Sequence, residues 1–80
     1  MSSERHDYAA VLDLRGLKCP LPVLKTRKAM TSIATGSLVS LETTDPLAGI
    51  DIPHFCAEDR HVVVSQERTD TGHRFVIRKG

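Results

Sequence analysis

The apolar positions of the chain fall at strand-like and helix-like spacings in turn, and they predict six elements. A short apolar run, Val11, Leu12 and Leu14, is typical of a first strand. A helix is predicted from Pro20 to about residue 34, because apolar and small side chains repeat there at the helical period. The residues on its inner arc are Val23, Thr26, Ala29, Met30, Ile33 and Ala34.

A second strand and a second helix are expected next. Gly36 is predicted to cap the first helix at its C-terminus, and residues 38–43 have the pattern of a strand. Two acidic signals with an early proline, Asp45-Pro46 and Asp51-Ile-Pro53, mark the start of a short helix that ends near Glu58.

The chain is predicted to close with a hairpin. Residues 61–67 and 74–78 are the strands, and Gly72 in the turn is expected to supply a positive φ. The order βαβαββ implies a parallel pair joined by a right-handed crossover, followed by an antiparallel pair. We therefore predict an α+β fold, a two-layer sandwich with two helices packed on a four-stranded mixed sheet. The apolar run Val62–Val64 predicts that its strand lies away from an exposed edge.

Length and composition limit the classes of protein that are possible. Eighty residues suffice for one domain, which we place at residues 9–80 after a flexible tail at residues 1–8. A net charge of +1 gives no general attraction to nucleic acid or membrane. No apolar run reaches the ~20 residues of a membrane span, and the polar start is not a signal peptide. Two cysteines in so small a domain favour a reducing compartment, hence a cytoplasmic location.

The charge is unevenly distributed along the chain. Residues 13–28 carry five basic and one acidic side chain, whereas residues 42–59 carry five acidic side chains and no Lys or Arg. The basic stretch surrounds Cys19, where it could favour a thiolate or orient an acidic partner.

Cys19 is the principal candidate for chemistry, because it lies where the first strand meets the predicted helix. A helix N-terminus carries unpaired N–H groups and a partial positive charge, which favour the thiolate form of a nearby cysteine. Gly16 permits the turn, and Pro20 and Pro22 suit the first turn of a helix. Lys18 and Arg27 are expected to add positive charge near the sulfur.

The other polar residues do not complete an alternative site. The two cysteines and four histidines lack the spacing of a zinc site, so we expect no metal and no cofactor. No histidine can be tied to Cys19 for hydrolysis, and no C-x-x-C pair provides the resolving thiol of a dithiol reductase. Cys56 is expected in the core together with Ile52 and Phe55. A single reactive cysteine suits sulfur carriage, in which a resolving thiol would release the sulfur as sulfide.

Several segments resemble the TusA/SirA family of sulfur carriers. The run Gly16-Leu-Lys-Cys-Pro-Leu-Pro22 resembles its C-P-x-P signature, and the resemblance covers residues 11–80. The other matching segments are Asp45-Pro46, Asp51-Ile-Pro53, Phe55-Cys56 and Ile77-Arg-Lys-Gly80. The resemblance implies a fold like the C-terminal domain of translation initiation factor three. It also implies a persulfide on Cys19, filled by a cysteine desulfurase or a rhodanese-like donor.

The resemblance further implies a sulfurtransferase that acts as a carrier rather than as a turnover enzyme on a small substrate. Its acceptors would be proteins of tRNA 2-thiouridine synthesis, molybdenum-cofactor metabolism or sulfur oxidation. Leu21 occupies the variable position of the signature, where tRNA-thiolation carriers have an acidic residue, so the pathway stays open. We expect a monomer that contacts neither nucleic acid nor membrane directly.

Docking residues are expected around Cys19. Leu21 and Leu24 fall outside the inner arc of the first helix, so they either contact a partner or pack under a loop. Asp45 either orients a partner or, in the favoured interpretation, caps the second helix. The full set is Lys18, Leu21, Leu24, Lys25, Arg27, Lys28 and Asp45. Two other functions are possible, an RNA-binding module and a regulatory interaction domain, but the chain lacks the basic charge and aromatic platform of the first.

Overall fold

Two helices pack on a four-stranded mixed sheet in the computed structural model, which describes residues 8–80. The elements are β1 (Tyr8–Leu14), α1 (Leu21–Met30), β2 (Leu38–Thr43), α2 (Ala48–Asp59), β3 (Val62–Arg68) and β4 (His73–Arg78). The predicted α+β sandwich with βαβαββ order is therefore confirmed. β1 begins at Tyr8, which the sequence assigned to the tail, and the rest of that predicted tail, residues 1–7, lies outside the described residues.

The strand order β1-β2-β4-β3 brings two loops together at one edge of the sheet. β1 and β2 are parallel, whereas β4 is antiparallel to both β2 and β3. A parallel pair needs a crossover, which α1 provides. At the end of this pair Leu14 lies opposite Thr43, so the loops that follow β1 and β2 leave the sheet side by side. These loops contain Cys19 and Asp45.

The core lies between the helices and one face of the sheet. Side chains alternate along a strand, and the inward positions of β2 and β4 are fully buried: Val39, Leu41, Thr43, Phe75 and Ile77. The predicted core residues of α2, Ile52, Phe55 and Cys56, are buried against them. Among the described residues, neither helix is long and apolar enough to cross a membrane.

The inner arc of α1 agrees with the prediction over most of its length. Thr26 and Met30 are buried, and three further members, Val23, Ala29 and Ile33, are half-buried. The sequence missed Pro22, which is also buried, and Ala34 is exposed rather than inward.

The predicted end of α1 was wrong, because the helix stops at Met30 and not near residue 34. Gly36 does not cap it; this glycine adopts a φ of 90° in the turn before β2, and its N–H donates to the Lys79 carbonyl. The Lys79 ammonium instead donates to the carbonyls of Met30 at 2.8 Å and Ile33 at 2.9 Å. A residue near the end of the chain therefore stabilises the last turn of α1.

Strand β3 lies at an edge of the sheet, which contradicts the prediction from its apolar run. Val62 and Val64 are exposed, and only Val63 packs against the core. The pairing with β4 shifts between Val63 and Ser65, and such an irregularity is a common feature of edge strands. Three valines in a row were therefore not evidence of burial on both faces.

Two details of the second half also differ from the prediction. Pro53, taken as a helix-start signal, lies inside α2. A proline has no N–H to donate to the carbonyl four residues earlier, that of Gly49. The Gly49 carbonyl instead accepts from the Gln66 side-chain amide at 3.4 Å. Gly72 has no positive φ. Its small size is what matters there, because a Cβ at that position would overlap the Thr43 carbonyl.

Candidate functional site

Cys19 lies in the loop between β1 and α1, two residues before the helix begins, and its side chain is exposed. The loop turns at Gly16, whose φ of 85° is a conformation that residues with a Cβ rarely adopt. The Gly16 N–H donates to the Thr44 hydroxyl at 2.8 Å. Pro22 lies in the first turn of α1, where a missing N–H has no cost.

Asp45 holds the Cys19 loop against the start of α2. One of its carboxylate oxygens, Oδ2, accepts a hydrogen bond from the Cys19 N–H at 2.7 Å. The other, Oδ1, accepts from the Leu47 N–H at 3.2 Å, just before α2 begins. Because each oxygen of the carboxylate accepts from a different segment, a single side chain joins the two. The prediction that Asp45 caps α2 was therefore wrong, because the N-cap residue is Leu47 and no side chain caps this helix. Asp45 instead joins the turn before α2 to the cysteine loop.

Two carboxylates surround the Cys19 sulfur. Cys19 Sγ and a carboxylate oxygen from each of Asp45 and Asp51 lie within 4.8 Å of one another. The pKa of Cys19 is raised above its ordinary value, chiefly by hydrogen bonding of the thiol to Asp51. Loss of solvent and the negative charges of Asp51 and Asp45 act in the same direction. The prediction that this site favours the thiolate was therefore wrong.

The basic side chains expected near the sulfur act elsewhere. Arg27 Nε lies 3.3 Å from an oxygen of Asp59, and its guanidinium lies over the Phe55 ring at 5.1 Å from the ring centre. Neither Lys18 nor Arg27 is among the groups that shift the pKa of Cys19. Sequence neighbours of Cys19 thus contribute less to its environment than residues of the second acidic stretch.

Asp51 is the site residue that the sequence missed. It was taken only as a signal for the start of a helix, yet it lies in the first turn of α2 with its carboxylate beside Cys19. The available clue was topological. Because β1 and β2 are parallel and each leads into a helix, the two helix starts lie side by side at one edge of the sheet.

The surroundings of Cys19 combine a shallow depression with an exposed apolar patch. A depression of about 210 Å³ lies between the start of α1 and the length of α2, lined by Cys19 and by Asp51, Phe55 and Glu58 of α2. Leu21 and Leu24 are 43% and 49% exposed, so neither packs under a loop. Lys18, Lys25 and Lys28 are also exposed.

The same three side chains, Cys19, Asp45 and Asp51, offer atoms that could bind a cation. The chemistry does not favour one. A metal needs the thiolate, whereas both carboxylates keep this sulfur protonated. The set also mixes a soft sulfur with hard carboxylate oxygens, which prefer different metals.

The fold and the site together define a small protein with an exposed thiol, that of Cys19, on its surface. Residues 10–79 match the model of the family described as Sulfurtransferase TusA. The chain therefore belongs to the TusA sulfurtransferase family, and its role is that of a sulfur carrier or sulfurtransferase. Proteins of this family act with sulfur donors and sulfur acceptors.

Proposed function

We propose that Cys19 carries sulfur as a persulfide, which it takes from a cysteine desulfurase or a rhodanese-like donor and passes to an acceptor protein. The observation that supports this proposal most directly is the difference in exposure between the two cysteines. Cys19 is exposed, whereas Cys56 is 1% exposed and lies in the core. Another protein can therefore reach one of the two sulfurs without unfolding the domain.

The transfer is an exchange between two sulfur–sulfur bonds. In loading, the Cys19 sulfur bonds to the terminal sulfur of the donor persulfide, and the donor's own S–S bond breaks. The donor cysteine leaves with the electron pair and takes up the proton that Cys19 loses. In unloading, the acceptor thiol attacks the terminal sulfur and Cys19 is the leaving group. No oxidant or reductant is consumed, and the rate depends on how much attacking thiol is ionised.

The arrangement of the two cysteines supports carriage rather than dithiol chemistry. A second thiol within reach of a persulfide would form a disulfide with Cys19 and release sulfide. Cys56 cannot do so in the folded protein, because it packs between α2 and the sheet.

The docking surface is proposed to lie on the outward side of α1, next to Cys19. Leu21 and Leu24 provide exposed apolar area there, and Lys25 and Lys28 provide positive charge. Pro20, Pro22 and Gly16 shape the turn that presents the sulfur, and Asp45 holds it in place. The acceptors are proposed among proteins of tRNA 2-thiouridine synthesis, molybdenum-cofactor metabolism or related sulfur metabolism.

Intact mass after incubation with a cysteine desulfurase and cysteine tests the proposal. The wild type should gain the mass of one sulfur atom, which dithiothreitol should remove. Cys19→Ser should gain nothing, and the matched control Cys56→Ala should gain sulfur as the wild type does. A gain that persists in Cys19→Ser would show that the sulfur is held elsewhere.

A further inference from the structure

The environment of Cys19 is unusual for a nucleophile that must ionise. Reactive cysteines commonly lie next to cations or a helix N-terminus that stabilise the thiolate. Here a carboxylate oxygen of Asp51 and one of Asp45 lie within 4.8 Å of the sulfur and of each other. Both carboxylates favour the protonated thiol, so the folded domain opposes the form that its own chemistry requires.

We propose that Asp51 is a positioning residue that holds the thiol of the unloaded carrier in its protonated state, so that Cys19 stays unreactive until a partner docks. The inference rests on the proposed function of Cys19. A carboxylate oxygen of Asp51 lies within 4.8 Å of the Cys19 sulfur, where its negative charge favours the protonated thiol, and the proton leaves only when loading begins. The bonds and protons change as in the loading step described above, in which the proton passes from Cys19 to the donor's departing sulfur.

The backbone around Asp51 fixes its position. The Asp51 N–H donates to the Leu47 carbonyl at 2.8 Å in the first turn of α2. Asp45, which precedes that turn, holds the Cys19 N–H at 2.7 Å. The backbone of Asp51 and the loop that carries Cys19 thus belong to segments that the Asp45 carboxylate already joins.

The charged groups that face Cys19 come from three segments. The loop after β1 contributes Lys18, which lines a separate depression beside Gly16 and Asp45. The loop after β2 contributes Asp45, and α2 contributes Asp51 together with His54 and Glu58, whose Nδ1 and Oε1 lie 3.9 Å apart.

From α1, apolar Val23 lines the depression, whereas Arg27 is paired with Asp59. Carboxylates therefore dominate the field at the sulfur. A protonated thiol suits a protein that waits between partners, because the thiolate is the form that peroxides and disulfides oxidise.

Alkylation of the folded protein by iodoacetamide across pH tests the inference without any partner. Asp51→Asn should react several-fold faster than the wild type at pH 7, and its pH profile should shift to lower pH. The reason is that the ionised fraction of a thiol below its pKa rises about tenfold for each unit by which that pKa falls. A merely structural role for Asp51 would leave the midpoint of the profile unchanged.

Glu58→Gln is the matched control, because Glu58 lines the same depression and has the same charge but does not shift the pKa of Cys19. Its profile should superimpose on that of the wild type. Asp51→Ser removes the carboxylate by a second substitution that a first helical turn tolerates, and circular dichroism checks the fold of each variant. A wild-type profile in either folded Asp51 variant would overturn the inference.

The mass assay separates this inference from the proposed function. If Asp51→Asn still gains one sulfur on Cys19 but alkylates like the wild type, the carrier role stands and the role of Asp51 is refuted. If neither the wild type nor any variant gains sulfur, the proposed function fails, whatever the alkylation profile shows.

Discussion

Cys19 and Cys56 have pKa values raised in the same direction by different surroundings. For Cys56 the main cause is burial, helped by the charge of Asp59, and its pKa rises to about 11. For Cys19 the main cause is the Asp51 carboxylate. At the scale of single residues, accessibility and not acidity distinguishes Cys19 from the core cysteine Cys56.

The raised pKa of Cys56 predicts a loss of stability at alkaline pH. Its ordinary pKa of 9.0 is lower than the folded value of about 11, so the unfolded chain loses this proton first. The contribution to stability is complete below about pH 9 and is lost as pH rises through the folded pKa. Under reducing conditions, urea unfolding from pH 8 to pH 10 should show a steeper decline for the wild type than for Cys56→Ala. The difference in slope should be at most about 1.4 kcal/mol per pH unit. Equal slopes would contradict the prediction.

The sequence predicted which cysteine is exposed but not the ionisation of its thiol. The exposed position of Cys19 could be inferred from its neighbours in sequence, since Gly16 and two prolines mark a rigid turn before a helix. The pKa depends on Asp51, which is distant in sequence and approaches Cys19 only because β1 and β2 are parallel. Charges adjacent in sequence, such as Lys18, were a poor guide because side chains beside one another in a loop can point apart.

Helix α1 shows which properties of an element are local and which are tertiary. Its inner arc follows from the helical period, and Thr26 and Met30 are buried as predicted. Its end does not follow from Gly36, because the Lys79 ammonium donates to the carbonyls of Met30 and Ile33. The position of β3 at the sheet edge was likewise unpredictable from its valines, since it depends on β4 lying between β2 and β3.

Removal of the Lys79 ammonium should destabilise the domain through α1. Lys79→Met keeps the aliphatic stem but removes this donor from the Ile33 carbonyl and leaves the Met30 carbonyl with the Ile33 N–H, so the free energy of unfolding should fall by about 1–3 kcal/mol. Lys25→Met is the control, an exposed lysine on α1 with no ion pair among the described residues, and its effect should be within ~0.5 kcal/mol. Urea denaturation measures both. Equal losses would show that the two hydrogen bonds contribute nothing.

The outward face of α1 should be needed for docking and not for folding. Leu24 is 49% exposed, so Leu24→Glu should change stability by no more than ~0.5 kcal/mol. It should weaken binding to the sulfur donor, measured by titration calorimetry, because it places a charge in an apolar contact. Val11→Glu is the control, since Val11 is 72% exposed on the face of the sheet that the helices leave uncovered. Normal donor binding by a folded Leu24→Glu variant would place the interface elsewhere.

In the whole molecule, the core and the site meet at one core residue, Phe55, which lines the depression beside Cys19. The buried residues lie between the two helices and the sheet, whereas Cys19 lies on a turn beyond the sheet edge. The fold class was predictable because the hydrophobic period identifies each element and the order of the elements along the chain limits how they pack. The strand order was not predictable, because the β3–β4 hairpin could pair with either strand of the parallel β1–β2 pair.

A cavity in the core should therefore affect stability without changing the reactivity of Cys19. Leu41 is fully buried, and Leu41→Ala should cost about 2–5 kcal/mol. A domain of this length is expected to have about 4–12 kcal/mol in total, so the variant should remain mostly folded or become marginal. Alkylation of Cys19 under native conditions, corrected for the folded fraction from urea curves, should match the wild type. A changed rate would show that core packing reaches the site.

The two hydrogen bonds that tie the cysteine loop to its neighbour have donors and acceptors of different kinds. The donors are main-chain N–H groups of Gly16 and Cys19, and the acceptors are the side chains of Thr44 and Asp45. Every residue except proline supplies a main-chain N–H donor, whatever its side chain. Selection can thus vary the side chains around Cys19 to suit new partners without releasing the loop, while the constraint on sequence falls on Thr44 and Asp45.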